Sequence, residues 1–507
     1  MKKSLYIAAL GLTLTVASCD GLDQYPTIED SSDKVYSSVD GFKSVMAACY
    51  ASYSYNVADL NMPGKNEPLI RSIFNLQEGT TDAIAYTWLS GDQLGPLTYN
   101  TWNASDVWCE YVWYRCYVVV TSCNDLLKNA AGRTDEEIRQ IALEARFLRA
   151  LSLSYIMDLY GKGVLPTENT SIGETNIPTA SRQELYAYIT SELEAIAPEM
   201  SATVAYPRAS QGAAYALLSR IYLNSEVYNG TKDFDKCIAA AKKVKSIGYQ
   251  LEPNATYHNI FGADNHNYAG PGKEIIFALA SDAENARSWA GATNIICGFG
   301  KSGGENNEQL GISAGWSNMR VNGRFSALFN ETGDIRNTFF YTDGQSQYIT
   351  TEDDKDQGYI SLKFTNLTDD GKPVYFEGNT ENGCATDLPI IRYAEVILNE
   401  AEAQFRSGNE AEAIDLINQI RKRAGALDIE TISEETILNE RGRELAFEML
   451  RRTDLVRFNK YGGNVDYNWE FKGGAAEGKN FEAFRNVFPI PGHELSANAN
   501  LTQNEGY

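Results

Sequence analysis

Histidine is scarce in this sequence: His258, His266 and His493 are the only three in 507 residues. That limits acid–base and metal chemistry, because imidazole titrates near neutrality and is the commonest metal ligand. His258 and His266 do not form a zinc-ligand pair at helical spacing, and the chain has no Cys-x-x-Cys to supply thiolates. The serine pattern GxSxG occurs twice, at Gly300 to Gly304 and at Gly311 to Gly315. A nucleophile elbow needs strand, serine and helix, then an acid and a histidine downstream, and His493 is the only histidine that follows. A surface hydrolase or esterase using Ser313 and His493 is therefore the enzymatic alternative. Gly298-Phe299-Gly300-Lys301-Ser302-Gly303 spells GxGxxG after a strand-like Ile295-Ile296, but Gly304 to Asn307 does not launch a convincing helix to receive a pyrophosphate. The same stretch fails as a phosphate loop because Ile295 stands where the first glycine belongs, so it reads as a flexible loop. Asp354, Asp356 and Gly358 lack the remaining positions of a calcium loop. No catalytic residue, metal ligand or cofactor site is assigned.

The residues left for ligand work are aromatic, with Trp 7, Tyr 30 and Phe 20. A planar indole in a shallow site stacks on the apolar face of a sugar ring while amides and charged groups bind its hydroxyls. Trp88 and Trp102 lie in a Gly/Asn/Thr-rich stretch, and Trp289 and Trp316 in a second irregular one. Asn103, Asn318 and Arg320 are the polar candidates beside them. Trp108 and Trp113 fall inside a helical pattern and read as core.

The chain begins as an exported one. Met1-Lys2-Lys3 precedes an apolar run from Leu5 to Val16, too short to span a bilayer as a stable helix. Val16-Ala17-Ser18-Cys19 resembles a bacterial lipoprotein signal box, which implies cleavage after residue 18 and a lipid on Cys19. Residues 19–33 then read as a polar tether. Removing residues 1–18 deletes Lys2 and Lys3 and no acid, so the formal charge of −23 becomes two units more negative. Such acidity argues against nucleic-acid partners, whose affinity comes from cations on phosphate. The seven remaining cysteines are odd and scattered, no disulfide framework. Cys109, Cys116 and Cys123 repeat every seven residues on one helix face, about 10 Å apart by helical rise, too far to bridge one another.

The elements that must carry these residues are mostly helical. Residues 34–60 predict one helix with its loop, and residues 105–160 two long ones, with Leu148, Leu151, Ser152, Tyr155 and Leu159 at helix spacing before Gly161. Ala214, Leu217, Leu218 and Ile221 pair with Phe234, Cys237, Ile238 and Ala241 as stripes of a helix pair. Ala394, Leu398, Ala401 and Phe405 pair likewise with Ala413, Leu416, Ile417 and Ile420 across Ser407-Gly408-Asn409. Such pairs resemble tetratricopeptide units. Residues 250–388, rich in Gly, Asn, Asp and Tyr, predict a loop-rich insert with small strands at Ile275-Ile276-Phe277 and Tyr359 to Leu362. Glu440, Arg441, Glu444, Glu448, Arg451, Arg452, Asp454 and Arg457 read as an ion-pair lattice between helices.

Several ordered blocks resemble the SusD/RagB family of outer-membrane nutrient-binding lipoproteins: Glu144 to Ala150 with Leu159-Tyr160-Gly161, Ile391 to Val396 with Ala401-Glu402-Ala403, Ile417-Asn418 with Arg421 to Gly425, Ile437 to Leu445, Asp454 to Arg457, and Pro489-Ile490-Pro491 with Gln503 to Tyr507. The resemblance implies a mainly α fold in one domain, residues 34–507: a tetratricopeptide-like scaffold of four helix pairs (about 34–249 and 389–507) carrying the irregular ligand-binding insert (about 250–388). It also implies a non-enzymatic lipoprotein on the outer membrane facing the cell exterior, which captures oligosaccharide or polysaccharide for a SusC-like TonB-dependent transporter. The scaffold does not encode the ligand, so peptides or other nutrients are the alternative cargo.

Overall fold

Helices begin where the sequence supplies caps. The computed structural model describes residues 32–55, 67–171, 173–282, 284, 288–374 and 383–507; the signal segment, Cys19 and the tether up to residue 31 lie outside the described residues. Numbering the longer helices only, α1 (Val39–Ser54) and α2 (Leu69–Gln77) lead to strand β1 (Ile84–Tyr86), and then to α3 (Val107–Ala130) and α4 (Glu136–Tyr160). Asp106 caps α3 by accepting from the amides of Trp108 and Cys109, and Asp135 does the same for α4 with Glu137 and Ile138. Gly161, at φ +69°, closes α4 in the left-handed conformation that favours glycine. Between α3 and α4 the apolar stripe predicted from Leu148, Leu151, Tyr155 and Leu159 is buried, each such leucine contributing roughly 1.5–3 kcal/mol. Trp108, Trp113 and the cysteines of α3 are buried too, the thiols unbridged.

β2 (Lys162–Val164) and β3 (Thr179–Ser181) form a small ribbon before α5 (Arg182–Ile196), which opens with a reciprocal Ser181/Glu184 capping box. α6 (Gln211–Leu223) and α7 (Phe234–Ile247) pack as an antiparallel pair. Residues 250–388 hold β4 (Ile275–Leu279), α8 (Ala292–Phe299), β5 (Met319–Val321), β6 (Phe340–Tyr341) and β7 (Ile360–Ser361). Ile295-Ile296, read as strand-like, lies instead within α8, because the apolar run from Ala292 to Phe299 is buried all round. β8 (Leu388–Arg392) pairs with β4 and runs directly into α9 (Tyr393–Arg406), which packs on α10 (Glu410–Arg423) across the turn at Gly408, φ +85°. α11 (Glu434–Glu444) and α12 (Arg451–Arg457) complete the numbered set. The fold is mainly α, built on tetratricopeptide-like helix pairs. No helix among the described residues is long and apolar enough to cross a membrane.

The charged C-terminal motif is a buried lattice. Glu444 meets Arg423 at 2.5 Å, Arg392 at 3.0 Å and Arg336 at 3.3 Å. Glu440 meets Arg443 at 2.6 Å, Arg336 at 2.8 Å and Arg421 at 2.9 Å. Glu448 takes Lys363 at 2.6 Å and Arg392 at 2.7 Å. Burial pushes the Glu440 carboxyl up, but Arg336, Arg443 and Arg421 outweigh it and hold its pKa at about 2. Burial brings the Lys363 ammonium down to about 8, against the pull of Glu448. A buried ion lattice adds little over a well-packed apolar core, yet losing one partner strands a charge. Arg336 and Lys363 come from the irregular segment, Glu440 and Glu444 from α11 and Glu448 from the link to α12, so the lattice fixes one part against the other.

Candidate functional site

β1 and β5 bring two distant parts of the chain together. They pair antiparallel, with Ile84 opposite Val321 and Tyr86 opposite Met319. The ladder continues past β1, where the amide of Thr87 donates to the Asn318 carbonyl at 3.0 Å and its hydroxyl to the Ser317 carbonyl at 2.7 Å. Trp88 follows Thr87 and Trp316 precedes Ser317, so the pairing sets the two indoles side by side. Their ring centroids are 6.3 Å apart with 29° between planes, and both are half-buried at the edge of the core. Offset stacking of this kind is the favoured arrangement for aromatic faces.

The support beneath Trp316 explains the glycines around it. The amides of Trp316, Ser317 and Asn318 donate to the carbonyls of Cys297 (2.7 Å), Gly300 (2.8 Å) and Gly298 (3.1 Å) at the C-terminal end of α8. A Cβ on Gly315 would fall 2.1 Å from the carbonyl carbon of Gly300, so only glycine permits this approach. The glycine pattern that spells GxSxG is thus a packing device. Ser313 also lies after the short helix Asn307–Leu310 and before β5, the reverse of the strand–serine–helix order of an elbow. His493 sits elsewhere, on the short helix Gly492–Ala497, whose first amide donates to the carbonyl of Ala104.

The structure redistributes the other candidates. Trp102 is a correction: it is fully buried, donates from Nε1 to the Tyr507 hydroxyl at 2.7 Å, and packs 4.7 Å from Phe488. Asn103 is exposed but spends its carboxamide oxygen on the amide (2.9 Å) and hydroxyl (2.7 Å) of Ser105, shaping the entry to α3. Asn318 is buried, its side chain pressed against Gly298, so it cannot meet a ligand in solvent. Arg320, 2% exposed, donates to the carbonyls of Asp354 (2.5 Å), Gln357 (3.3 Å), Tyr86 (3.4 Å) and Glu352. Burial lowers its pKa to about 10 against the pull of Asp354. It staples the 352–357 loop to the sheet and is a structural residue. Trp289 is half-buried, beside Ser288, whose hydroxyl donates to the Ser54 carbonyl at the end of α1; no ring contact joins it to the pair among the described residues. The sequence reading missed Tyr348, 57% exposed on the loop after β6, because one tyrosine among thirty carries no local signal. No cluster of His, Cys, Asp and Glu among the described residues is arranged to hold a metal.

A helix-pair scaffold with a paired-indole platform on its irregular side defines a binding protein. The chain belongs to the SusD family: the family model described as "SusD family" matches residues 330–507, and one described as "Starch-binding associating with outer membrane" matches residues 32–223. The chain is 32% identical over 486 residues to the starch-binding protein SusD of Bacteroides thetaiotaomicron, covering 86% of this chain and 85% of that one. A SusD-like protein of Bacteroides ovatus is 24% identical over 485 residues, covering 90% and 83%. Among solved structures, a SusD-like protein from Bacteroides fragilis aligns with TM-score 0.71 and 22% identity over 95% of this chain and 99% of that one. A laminarin-binding SusD-like protein aligns with TM-score 0.69 and 20% identity over 92% and 99%.

Proposed function

We propose that this protein is a cell-surface glycan-binding lipoprotein, without hydrolytic activity of its own, that captures oligosaccharide at the Trp88–Trp316 platform. The observation that carries the reading is the platform itself: two indoles from the two strands of one ladder, set side by side at its same end, stacked and half-exposed. The printed names of the starch-binding and laminarin-binding relatives support a glucan as cargo. A lipid on Cys19, after cleavage of residues 1–18, holds the single domain of residues 34–507 to the outer membrane through the tether 19–33. The ligand face belongs to the insert, about residues 250–388, together with the β1 segment that Trp88 follows. From there the glycan passes to a SusC-like TonB-dependent transporter; neither a metal nor another cofactor takes part. Trp289 is a further candidate contact at the margin of the site.

Isothermal titration of purified protein with maltoheptaose and with laminarin oligosaccharides tests this reading. Wild type binds one of them, and Trp88→Ala/Trp316→Ala loses at least tenfold in affinity, about 1.4 kcal/mol, which two indole faces supply by removing roughly 55 Å² of apolar surface from water at about 25 cal/mol per Å². An unchanged affinity in the double variant refutes the platform, and release of reducing sugar by the pure protein refutes the non-enzymatic role.

A further inference from the structure

A second aromatic surface lies past the other end of β5, where Tyr348 packs on Gly323. Two adjoining hollows of about 660 and 450 Å³ share Arg324, Glu435, Asn439 and Asn468 in their walls, and Tyr348 borders the smaller. We infer that this groove is a second saccharide subsite, taking uncharged sugar units of the same polysaccharide that the Trp88–Trp316 platform holds. The inference rests on the glycan-binding reading.

The ring of Tyr348 is a built platform. A Cβ on Gly323 would come within 2.4 Å of it, so the ring rests directly on the glycine backbone, and Gly323 is itself held by its amide donating to Glu470 Oε1 at 2.9 Å. Tyr348 still keeps 57% of its surface in solvent. The polar groups nearby are unspent. Arg324 lies over the Tyr467 ring, 4.1 Å from its centroid, and pairs with no carboxylate among the described residues. The carboxamides of Asn439 and Asn468 make no hydrogen bond among the described residues either. A carboxamide offers two donors and an acceptor from one plane, which suits neighbouring hydroxyls on a sugar ring. The carboxylates Glu435, Glu470 and Glu477 outnumber the one cation in the smaller hollow, which disfavours acidic polymers.

The two surfaces lie within reach of one polymer. Trp316 and Arg324 flank β5, so chain length limits their Cα separation to about 28 Å. Two weak sites on one polymer multiply through effective concentration, whereas a short oligosaccharide at the Trp platform gains nothing from the second.

The test compares Tyr348→Ala/Asn468→Ala with wild type and with Trp88→Ala/Trp316→Ala, each checked for an unchanged thermal melt. Probes are maltoheptaose and laminariheptaose by calorimetry, and amylopectin and laminarin by affinity gel retardation. Expected is that Tyr348→Ala/Asn468→Ala keeps its heptasaccharide affinity within about twofold and binds the matching polymer about tenfold more weakly. Unchanged polymer retention in that variant overturns the second subsite while the platform reading stands. A wild type that binds none of the four probes overturns the glucan reading, and this subsite with it.

Discussion

Replacing Glu440 by glutamine should destabilise the protein strongly at neutral pH and much less in acid. The side chain is fully buried and meets Arg443, Arg336 and Arg421 within 2.9 Å. Its pKa is held at about 2, against an ordinary 4.5. At about 1.4 kcal/mol per pH unit, the difference corresponds to roughly 3 kcal/mol of folding free energy carried by the ionised carboxylate. The folded pKa is depressed, so this contribution is complete above pH 4.5 and disappears as pH falls towards 2; at pH 3 about 1.4 kcal/mol of it remains. Glutamine leaves three guanidiniums short of a partner, and the cost of breaking a buried pair, about 3–5 kcal/mol, measures the same attraction from the arginine side. Urea unfolding followed by tryptophan fluorescence at pH 7, 5 and 3 measures the effect. The expected difference between wild type and Glu440→Gln is several kcal/mol at pH 7 and about 2 kcal/mol smaller at pH 3. Should Glu440→Gln fail to fold, Arg421→Gln, at the lattice edge, keeps the test with a smaller cost. An equal penalty at pH 7 and pH 3 would refute the argument, since packing rather than charge would then carry the site.

Trp102→Ala should lower stability by about 3–5 kcal/mol, as loss of a buried indole does, while glycan affinity stays within twofold in calorimetry. Glu78 behaves in the opposite sense to Glu440: burial pushes its carboxyl to about 8, against the amides of Arg451 and Leu450 that lower it. The stability it lends is therefore present below pH 4.5 and lost as pH rises through 8. Glu78→Gln should be more stable than wild type at pH 9 and lose that advantage at pH 5 in the same unfolding assay.

Helix periodicity was legible because burial repeats along one face: the stripes on α4, α6, α7, α9 and α10 read directly from spacing. Ile295-Ile296 misled because a short apolar run looks the same in a strand and in a helix buried on all sides. The ion lattice was legible in kind, since so many charges crowded among Leu438, Leu445, Phe447, Leu450 and Leu455 need partners. Its reach to Arg336, to Lys363 and to Glu274, which meets Arg392 at 2.5 Å and Arg423 at 2.9 Å, was not, because these partners lie far off in the sequence. At the site, loop tryptophans offered four candidates, and only pairing between β1 and β5 selects Trp88 with Trp316. Asn318 and Arg320 lie two and four residues beyond Trp316, a spacing that an unbroken strand would put on one face with it; they face inward while Trp316 does not because Ser317, at φ +53°, interrupts the alternation before β5 begins.

The platform's rigidity bears on what it can bind. Sugar stacking is weak per ring, so affinity depends on how little must be ordered when the ligand arrives. Here ordering is done in advance: backbone bonds seat Trp316 on α8, Gly315 allows the approach, and Thr87 ties Trp88 to the same ladder. Arg320 binds the 352–357 loop beneath, and the lattice joins the whole irregular segment to the helices. Loosening the lattice weakens glycan binding only by as much as it disturbs the indole geometry, and removing an indole costs the scaffold only the half of that ring packed against the core. A lattice variant that lost affinity at full stability would place lattice residues in direct contact with ligand, which their burial forbids.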